Sequence, residues 1–490
     1  MFQLLVLFIF CILAMSKIRP RGFRYAVRIG LAVFCLSEII SQVMTEEPIG
    51  YQFYNHLQFE TFRIAITSFP LLSLLGLAAF IAVVWLFTRL ARLEPVRHYS
   101  QSKRRFAATM IILAFLMALP GGIINNLYRV IDGRMAAEER LTIDEAFAGL
   151  DIKAGDYVFR DGLTAEPGLN IVIISLESFE RSILDRGDLA PGLMELTRRW
   201  TYLPHMKPSG AAATTIASLY SWQTGLPQYF GTRANSLFAK ADSTSLVGLG
   251  DVLGQAGYER CYILGEPDFA GTRQFLTLYG YQVFGAYEDF PFPVERAGSF
   301  GPYDADVLAL AKLKYEELSI TGKPFLLAVS TVDTHLPGSR FRPDLAEAVR
   351  PTGEAAVDAV NASSHVVCDF LKFIEDRGDM ECTVVFIMPD HLVPQAANAK
   401  RMGLSLEDRS LFLLTSAAPE KLPVKPEKPF YQYQLPGIIL TAAGVETNAV
   451  FPADLSPHIF DDGYLEAGMK QFVKLNQALW VFKDNGGDDD

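Results

Sequence analysis

The sequence predicts an α/β chain with about four N-terminal transmembrane helices followed by a doubly wound, mainly parallel sheet. Half of the 490 residues are hydrophobic, and the apolar residues concentrate before residue 125. Beyond residue 169, short apolar runs rich in β-branched residues alternate with segments of helical periodicity, which is typical of a parallel sheet covered by helices. We therefore expect a transmembrane domain, a juxtamembrane connector, an outer domain, and a C-terminal helix with an acidic tail over residues 1–125, 126–168, 169–462 and 463–490.

The membrane prediction depends on four apolar runs, at residues 2–15, 29–43, 69–87 and 107–124. A spanning helix needs roughly 20 apolar residues, so the third run fits best and the first two are short. Three spans are the alternative, and the first run could instead be the apolar part of a signal peptide. A span is favoured because no small-residue cleavage site follows that run and its basic residues come after it.

The charges of the loops predict the orientation of these spans. Arginine and lysine are enriched after the first and third runs, whereas the loop at residues 45–68 carries three glutamates and one arginine. Basic loops stay in the cytoplasm, so everything after residue 124 is expected on the outer face of the membrane. The net charge of -11 argues against a general nucleic-acid-binding protein.

The predicted sheet is built from short apolar runs. Three strong runs, at residues 170–175, 324–330 and 383–388, predict strands buried on both faces, and 261–264 and 411–414 are weaker copies. Helical periodicity lies between them, at residues 191–200, 245–256, 305–317 and 355–377. Such sheets bind ligands beyond the carboxyl ends of their strands, so a functional site is expected there.

Ligand-type side chains follow each of the three strong runs. Glu177 follows the first, Asp333 and His335 follow the second, and Asp390 and His391 follow the third. A parallel sheet brings these ends to one edge, and carboxylate with imidazole ligands suits Mn, Zn or Mg. Any one of these residues alone is better explained by turn or capping chemistry. Their coincidence at three strand ends is what predicts a metal site.

A glycine- and alanine-rich stretch at residues 209–213 leads to Thr214 and Thr215 at the start of a helix-like segment. The N–H groups and dipole of a helix N-terminus favour an anion. A metal beside a threonine hydroxyl there would make it a nucleophile. On the local sequence alone, a simple N-cap is the better explanation of either threonine.

Six motifs occur in order along the chain: LESFERS at 176–182, TIASLYSWQTGLP at 215–227, FAG followed by Phe275 and Gly280-Tyr281 at 269–281, YDAD at 303–306, TVDTH at 331–335 and DHL at 390–392. Together they resemble the motifs of the alkaline-phosphatase/sulfatase-like membrane transferases. This family includes lipoteichoic acid synthase and, more similar still, the phosphoglycerol transferase of osmoregulated periplasmic glucans. The resemblance extends from the second outer loop to about residue 418, and it matches Thr215, rather than Thr214, to the nucleophile.

The resemblance implies a chemistry as well as a fold of alkaline-phosphatase/sulfatase type. One divalent cation, with Mn favoured and Zn or Mg as alternatives, would be held by Glu177, Thr215, Asp390 and His391. Thr215 would attack the phosphorus of phosphatidylglycerol, and a periplasmic glucan hydroxyl would then displace the glycerophospho-threonine. His335 would hold the phosphate or assist proton transfer. The protein would be a multi-pass protein of the inner membrane with a periplasmic catalytic domain.

The substrate region is where the sequence departs from the family pattern. Trp222, Arg273 and Asp304 are expected to contact substrate, although each has an equally good structural explanation. Thr224 stands in place of a cysteine of the glucan enzyme, and Tyr279 in place of a histidine. These differences leave a phosphoethanolamine-type transferase, or a phosphodiesterase on another envelope substrate, as the alternative activity. A catalytically inactive binding module is the alternative from another class.

Overall fold

The computed structural model of the chain describes residues 2–17, 21–45, 48–50, 53–54, 57, 66, 70–208, 214–231, 234–296, 301–336, 338–456 and 462–483. The chain divides into two compact units, Met1–Met135 and Ala136–Asp490. The described part of the first unit is helical, and the second unit contains the sheet that the sequence predicts.

The first unit packs its helices around a shared apolar cluster. Val6, Cys11, Phe87 and Met117 are among the buried members of that cluster. Because these residues come from three different helices, the helices hold together through side-chain packing. The helices that begin in this unit are α1 (Phe2–Lys17), α2 (Arg21–Thr45), α3 (Pro70–Leu90), α4 (Glu94–Gln101), α5 (Lys103–Ala118) and α6 (Ile123–Glu138).

The structure supports one or two candidate membrane spans in place of the four predicted. In the part of the chain that is described, Ser73–Leu90 within α3 is long and apolar enough to cross a membrane. The second candidate is the pair formed by α5 and α6, which is bent by 57°. The apolar helices Phe2–Lys17 and Ile29–Val43 are shorter. At 1.5 Å per residue, a 16-residue helix reaches about 24 Å, less than the ~30 Å hydrocarbon core.

The second unit contains an eight-stranded sheet, two two-stranded sheets and surrounding helices. Its strands are β1 (Ala165–Glu166), β2 (Asn170–Leu176), β3 (Thr201–Lys207), β4 (Ala241–Thr244), β5 (Glu259–Ile263), β6 (Gln282–Phe284), β7 (Phe325–Ser330), β8 (Thr383–Pro389), β9 (Leu411–Thr415), β10 (Phe430–Tyr431), β11 (Glu446–Thr447) and β12 (Trp480–Phe482). Its helices are α7 (Ile143–Ala148), α8 (Arg181–Arg186), α9 (Pro191–Arg199), α10 (Thr215–Thr224), α11 (Leu249–Gln255), α12 (Thr272–Leu278), α13 (Asp304–Ser319), α14 (Ala355–Asp376), α15 (Ala396–Arg401), α16 (Leu435–Ala443), α17 (Pro452–Leu455) and α18 (Asp462–Leu479).

The large sheet has the strand order β10-β3-β9-β8-β2-β7-β5-β6. Each neighbouring pair is parallel except the two pairs that involve β9. The predicted mainly parallel sheet is therefore confirmed, and β2, β5, β7, β8 and β9 are the strands that the apolar runs predict. Strand β3 was missed because Pro204 and His205 interrupt its apolar pattern.

The three central strands β2, β7 and β8 carry the core and fix the position of the site. Ile171 and Ile174 of β2 are fully buried, as expected for a strand covered by helices on both faces. In the strand registers, Ser175 pairs with Ser330, and Leu176 pairs with Pro389. The carboxyl ends of the three strands therefore lie side by side, so the residues that follow them start from neighbouring points.

Candidate metal centre

Three buried side chains converge beyond the ends of β2 and β8. Glu177, Asp390 and His391 each offer one ligand atom, and these atoms all lie within 4.8 Å of one another. His391 Nε2 is 3.4 Å from Glu177 Oε1 and 3.6 Å from Asp390 Oδ2. Thr215 Oγ1, at the first residue of α10, donates a hydrogen bond of 3.0 Å to Glu177 Oε2. The structure thus brings together the four side chains that were expected to hold a cation, while their roles remain predictions.

The carboxylate of Asp390 shows that this cluster fits a metal ion. Its Oδ1 accepts hydrogen bonds from Ser178 N at 2.9 Å and from His391 N at 2.6 Å. Its Oδ2 is buried and accepts no hydrogen bond from the described residues. An unsatisfied buried carboxylate oxygen is unfavourable unless a cation or a proton lies beside it. Two carboxylates, one imidazole and one hydroxyl form a donor set suited to Mn, Zn or Mg.

The pKa shifts within the cluster also favour a positive charge at this position. Burial and, next, the neighbouring Glu177 carboxylate raise the pKa of Asp390 to about 7. Burial lowers the pKa of His391, but the charges of Asp390 and Glu177 outweigh it and raise that pKa to about 10. Burial likewise raises the pKa of Glu177, but the His391 charge outweighs it and holds the pKa below its usual range. The two carboxylates therefore stabilise a cationic imidazole, and would stabilise a bound cation in the same way.

Hydrogen bonds from the surrounding backbone orient these ligands. His391 Nδ1 lies 2.9 Å from the carbonyl oxygen of Leu392, which directs Nε2 towards the carboxylates. Ser178 has a positive φ of 52°, and its hydroxyl donates to Glu177 Oε1 at 2.7 Å. A non-glycine residue in this conformation is uncommon and is held there by its surroundings. Both contacts restrict the ligand atoms to the geometry of the cluster.

The two candidate threonines at the start of α10 make different contacts. Thr214 is the N-cap, and its side chain accepts a hydrogen bond from Ala217 N at 3.4 Å. Thr215 directs its hydroxyl to Glu177 instead. The glycine- and alanine-rich stretch at residues 209–213 lies outside the described residues. The geometry thus agrees with the choice of Thr215 that the family resemblance implied.

The TVDTH segment after β7 supports Glu177 from the other side. Thr331 Oγ1 accepts a hydrogen bond from Glu177 N at 3.0 Å, and the Thr334 hydroxyl donates to the Glu177 carbonyl oxygen. His335 lies near enough for its charge to lower the pKa of Glu177. The segment therefore fixes the backbone of a ligand and brings a second imidazole to the cluster. Pro337, which follows it, lies outside the described residues.

The three residues expected to contact substrate have other partners in the structure. Trp222 is 1% exposed and stacks on Tyr262, with ring centroids 6.2 Å apart. Asp304 is buried, and its Oδ1 accepts hydrogen bonds from the backbone N–H groups after β7. Arg273 pairs with Asp268 at 2.7 Å. These contacts account for the three residues structurally, so their substrate roles remain predictions without support from the geometry.

Two buried contacts near the cluster were missed from the sequence. Gln432 is fully buried, and its Nε2 donates to the Asp390 carbonyl oxygen at 2.6 Å and to Ser218 Oγ at 2.8 Å. Glu180 is fully buried and pairs with Arg409, whose Nε lies 3.0 Å from Glu180 Oε2. Glu180 belongs to the LESFERS motif, which was a usable signal. Gln432 follows the two-residue strand β10, and no pattern in the sequence indicated that it lies near the cluster.

Comparison with known proteins identifies the domain that carries this cluster. A family model described as Sulfatase matches residues 169–405. A curated relative named phosphoglycerol transferase I, from Escherichia coli, is 28% identical over 362 residues, which is 71% of this chain and 45% of the relative. A relative of the same name from Citrobacter koseri is 29% identical over 273 residues, 52% of this chain and 35% of the relative. The chain thus spans less than half the length of these curated relatives.

A solved structure shows the same fold. The lipoteichoic acid synthase LtaP from Listeria monocytogenes superposes with a TM-score of 0.50 and 15% sequence identity, over 64% of this chain and 82% of that chain. At this identity the likeness concerns the fold and not the substrate. The sulfatase model covers β2, β7, β8 and all four residues of the cluster. Residues 169–405 therefore form a sulfatase-type domain.

Proposed function

We propose that this protein is a metal-dependent transferase that moves a phosphoglycerol group from phosphatidylglycerol to a periplasmic glucan, with Thr215 as the nucleophile. The observation that carries the proposal is the 3.0 Å hydrogen bond from Thr215 Oγ1 to Glu177 Oε2, beside the unsatisfied Oδ2 of Asp390. The names of the two curated relatives support phosphoglycerol as the transferred group. The glucan acceptor and the choice of Mn come from the motif resemblance.

The residues of the cluster have distinct roles in this proposal. Glu177, Asp390 and His391 would hold the cation, with Thr215 Oγ1 as a further oxygen ligand. The bound cation would supply Lewis acidity, which lowers the pKa of a hydroxyl and polarises a phosphoryl oxygen. Glu177 orients the Thr215 hydroxyl through its hydrogen bond. Thr215 thus presents its oxygen in one direction before substrate arrives, which lowers the entropic barrier of the attack.

Two displacement steps complete the reaction. In the first, a bond forms between Thr215 Oγ1 and phosphorus as the threonine hydroxyl releases its proton, the bond from phosphorus to the diacylglycerol oxygen breaks, and that oxygen takes up a proton. In the second, an acceptor hydroxyl attacks the same phosphorus and releases its proton, and Oγ1 leaves and takes a proton back. His335, whose charge acts on Glu177, is the candidate to accept the released proton and to return one to the leaving oxygen in each step.

The location of the second unit is part of the proposal. The loops of the first unit that are rich in lysine and arginine are expected in the cytoplasm. That orientation would place the second unit in the periplasm. The candidate span Ser73–Leu90 supports anchoring in the inner membrane. Both the lipid donor and a periplasmic glucan are accessible from that side.

The decisive test compares neighbouring threonines. The purified full chain is given phosphatidylglycerol labelled in its head group together with a periplasmic glucan, and diacylglycerol release and glucan labelling are measured. Thr215→Ala should abolish both, and the labelled peptide of the unaltered protein should contain Thr215. Thr214→Ala is the matched control: it removes an N-cap worth about 1 kcal/mol and should keep activity within a few-fold.

Other outcomes would redirect the proposal. Full activity of Thr215→Ala would exclude that residue as the nucleophile. Transfer from labelled phosphatidylethanolamine, with none from phosphatidylglycerol, would favour the phosphoethanolamine-type activity at the same site. Metal analysis of the dialysed protein should find one divalent cation per chain, and Asp390→Asn should lose it. A chain that binds no cation would instead be an inactive binding module.

A further inference from the structure

Helix α6 exposes a continuous apolar stripe along one side. Ile124, Tyr128, Ile131 and Met135 are 40%, 65%, 57% and 63% exposed. Their spacing of four, three and four residues places them on the same face of an α-helix. Ile123, about 100° away around the helix, is buried, so the exposure is confined to one face. An apolar face of this length is uncommon on a surface that contacts water, so the stripe requires a partner.

The charged residues of α6 exclude a position deep in the hydrocarbon core. Arg129, Asp132 and Arg134 lie within a stretch of six residues between the apolar positions. A charged side chain at the centre of a bilayer is unfavourable by about 3 kcal/mol or more, so three in such a stretch do not suit a span. Arg134 Nη1 donates to the Tyr54 hydroxyl at 3.1 Å, an exposed contact. Long arginine side chains can place their charge in the head-group region while their stems remain among apolar groups.

The connection before α6 turns the helix away from the axis of α5. The two helices are bent by 57° at the segment Pro120-Gly121-Gly122. Pro120 has no backbone N–H to continue a helix, and Gly121 adopts a φ of +74°, which favours glycine. A Cβ on Gly122 would lie 2.4 Å from the Met117 carbonyl oxygen. The bend is therefore built into the local sequence.

We propose that α6 lies along the membrane–water interface, with its apolar stripe against the upper acyl chains of a phospholipid bilayer. Three observations support this partner over another protein. The preceding helix α5 also exposes apolar side chains, Ile111, Ile112 and Phe115, which suits a helix that contacts lipid. The flanking arginines suit phosphate head groups, and Tyr128 has the amphipathic ring that is enriched at this depth. Helices of this kind bury their apolar face about 5–10 Å into the head-group and acyl-chain boundary. The inference does not depend on the transferase activity.

The test measures depth along the helix. Single spin-labelled cysteines are introduced into the full chain carrying Cys368→Ser and Cys382→Ser, and the protein without an added cysteine gives the background from the buried thiols. The chain is reconstituted into nanodiscs of phosphatidylethanolamine and phosphatidylglycerol, and collision with oxygen is compared with collision with a water-soluble nickel chelate. The stripe positions are 124, 128, 131 and 135, and the flank controls are 125, 129 and 132.

The proposal predicts one shallow depth for all four stripe labels, with oxygen favoured over nickel, and the reverse preference at the flank controls. Depth that increases steadily from 124 to 135 would overturn it in favour of a span. Preference for nickel at the stripe would mean that water covers it, and low collision with both reagents would mean that protein covers it. A second measurement avoids substitutions: a phospholipid with a diazirine high on its acyl chain should label the stripe residues of the unaltered protein. Absence of label from residues 123–138 would contradict the proposal.

Discussion

The buried pair of Glu180 and Arg409 makes a sharp prediction about how the metal centre is held. Glu180 is fully buried, and its Oε2 also accepts a hydrogen bond from Val393 N at 3.2 Å. Arg409 donates to both Glu180 and the Val393 carbonyl oxygen. Glu180 lies three residues after Glu177, and Val393 lies two residues after His391. The pair therefore joins the two chain segments that carry the ligands.

The expected loss follows from the burial of this pair. Removing one partner leaves the other uncompensated, which costs about 3–5 kcal/mol in a buried site. The side chain of Arg409 is 16% exposed, so the lower value of about 3 kcal/mol applies. For a unit of about 350 residues the unfolding entropy is roughly 0.7 kcal/mol/K, so Tm should fall by about 4 °C. Loss of the pair should also lower the affinity for the metal by about 10- to 100-fold, because the pair supports the segments that carry the ligands.

The assay is a double-mutant cycle on the purified full chain. Glu180→Gln, Arg409→Met and the double variant are compared for thermal unfolding of the second unit and for affinity for Mn and Zn. Lys372→Met is the control, because Lys372 and Asp376 form an exposed pair at 2.8 Å whose loss should leave both readouts unchanged. The reasoning fails if Arg409→Met behaves like Lys372→Met, or if the two single losses add without coupling.

Three further predictions concern the same region. Gln432→Leu removes the hydrogen bonds that the Gln432 amide donates to the Asp390 carbonyl and to Ser218. It should lower the free energy of unfolding by about 1–3 kcal/mol, measured as a lower Tm, and an unchanged Tm would mean that water replaces the amide. Removal of the cation with a chelator should lower Tm, and adding the cation back at about 100 times its Kd should restore roughly 2.7 kcal/mol of unfolding free energy. A Tm that stays unchanged in both steps would argue against a resident metal. Burial, with the adjacent Asp304, raises the pKa of Asp333 to about 8 in the folded state. The protonated carboxyl contributes stability that is fully present below the ordinary carboxyl pKa and is lost as pH rises to about 8, so Tm should fall between about pH 4 and 8 and Asp333→Asn should flatten the profile.

The parts of the fold that could be predicted are those in which local pattern and burial agree. The run from Asn170 to Leu176 is apolar because helices cover both faces of β2, so its pattern marks a strand whatever the rest of the chain does. The direction of β9 has no such local cause, because the same residues fit a buried strand in either orientation. The expected number of four spans was wrong, because two of the apolar helices are short and a third is bent, whereas Ser73–Leu90 remains a candidate. Apolar composition was visible, but whether a helix continues or bends, as at Gly121, depends on the backbone.

The candidate site was predictable to the extent that parallel topology determines it. Glu177, Asp390 and His391 each follow a strand, so the sheet alone brings them near one another. Thr215 reaches the cluster from a helix that follows a different strand, and local sequence could not distinguish it from Thr214. Gln432 arrives from a segment without periodicity, so only coordinates reveal its bond to Asp390.

The TVDTH segment shows that the residues of one motif can have different roles at a site. Its resemblance to the family suggests a phosphate-binding histidine, yet Thr331 and Thr334 contact the backbone of Glu177 and not its carboxylate. Such residues hold a ligand in place without touching the reacting atoms. A substitution at either threonine should therefore act through metal affinity, because the ligand's backbone loosens. A substitution at His335 should act through the rate of transfer, because the imidazole is the proposed proton donor. The same five-residue motif thus combines scaffold and chemistry, and the hydrogen bonds of each side chain separate the two.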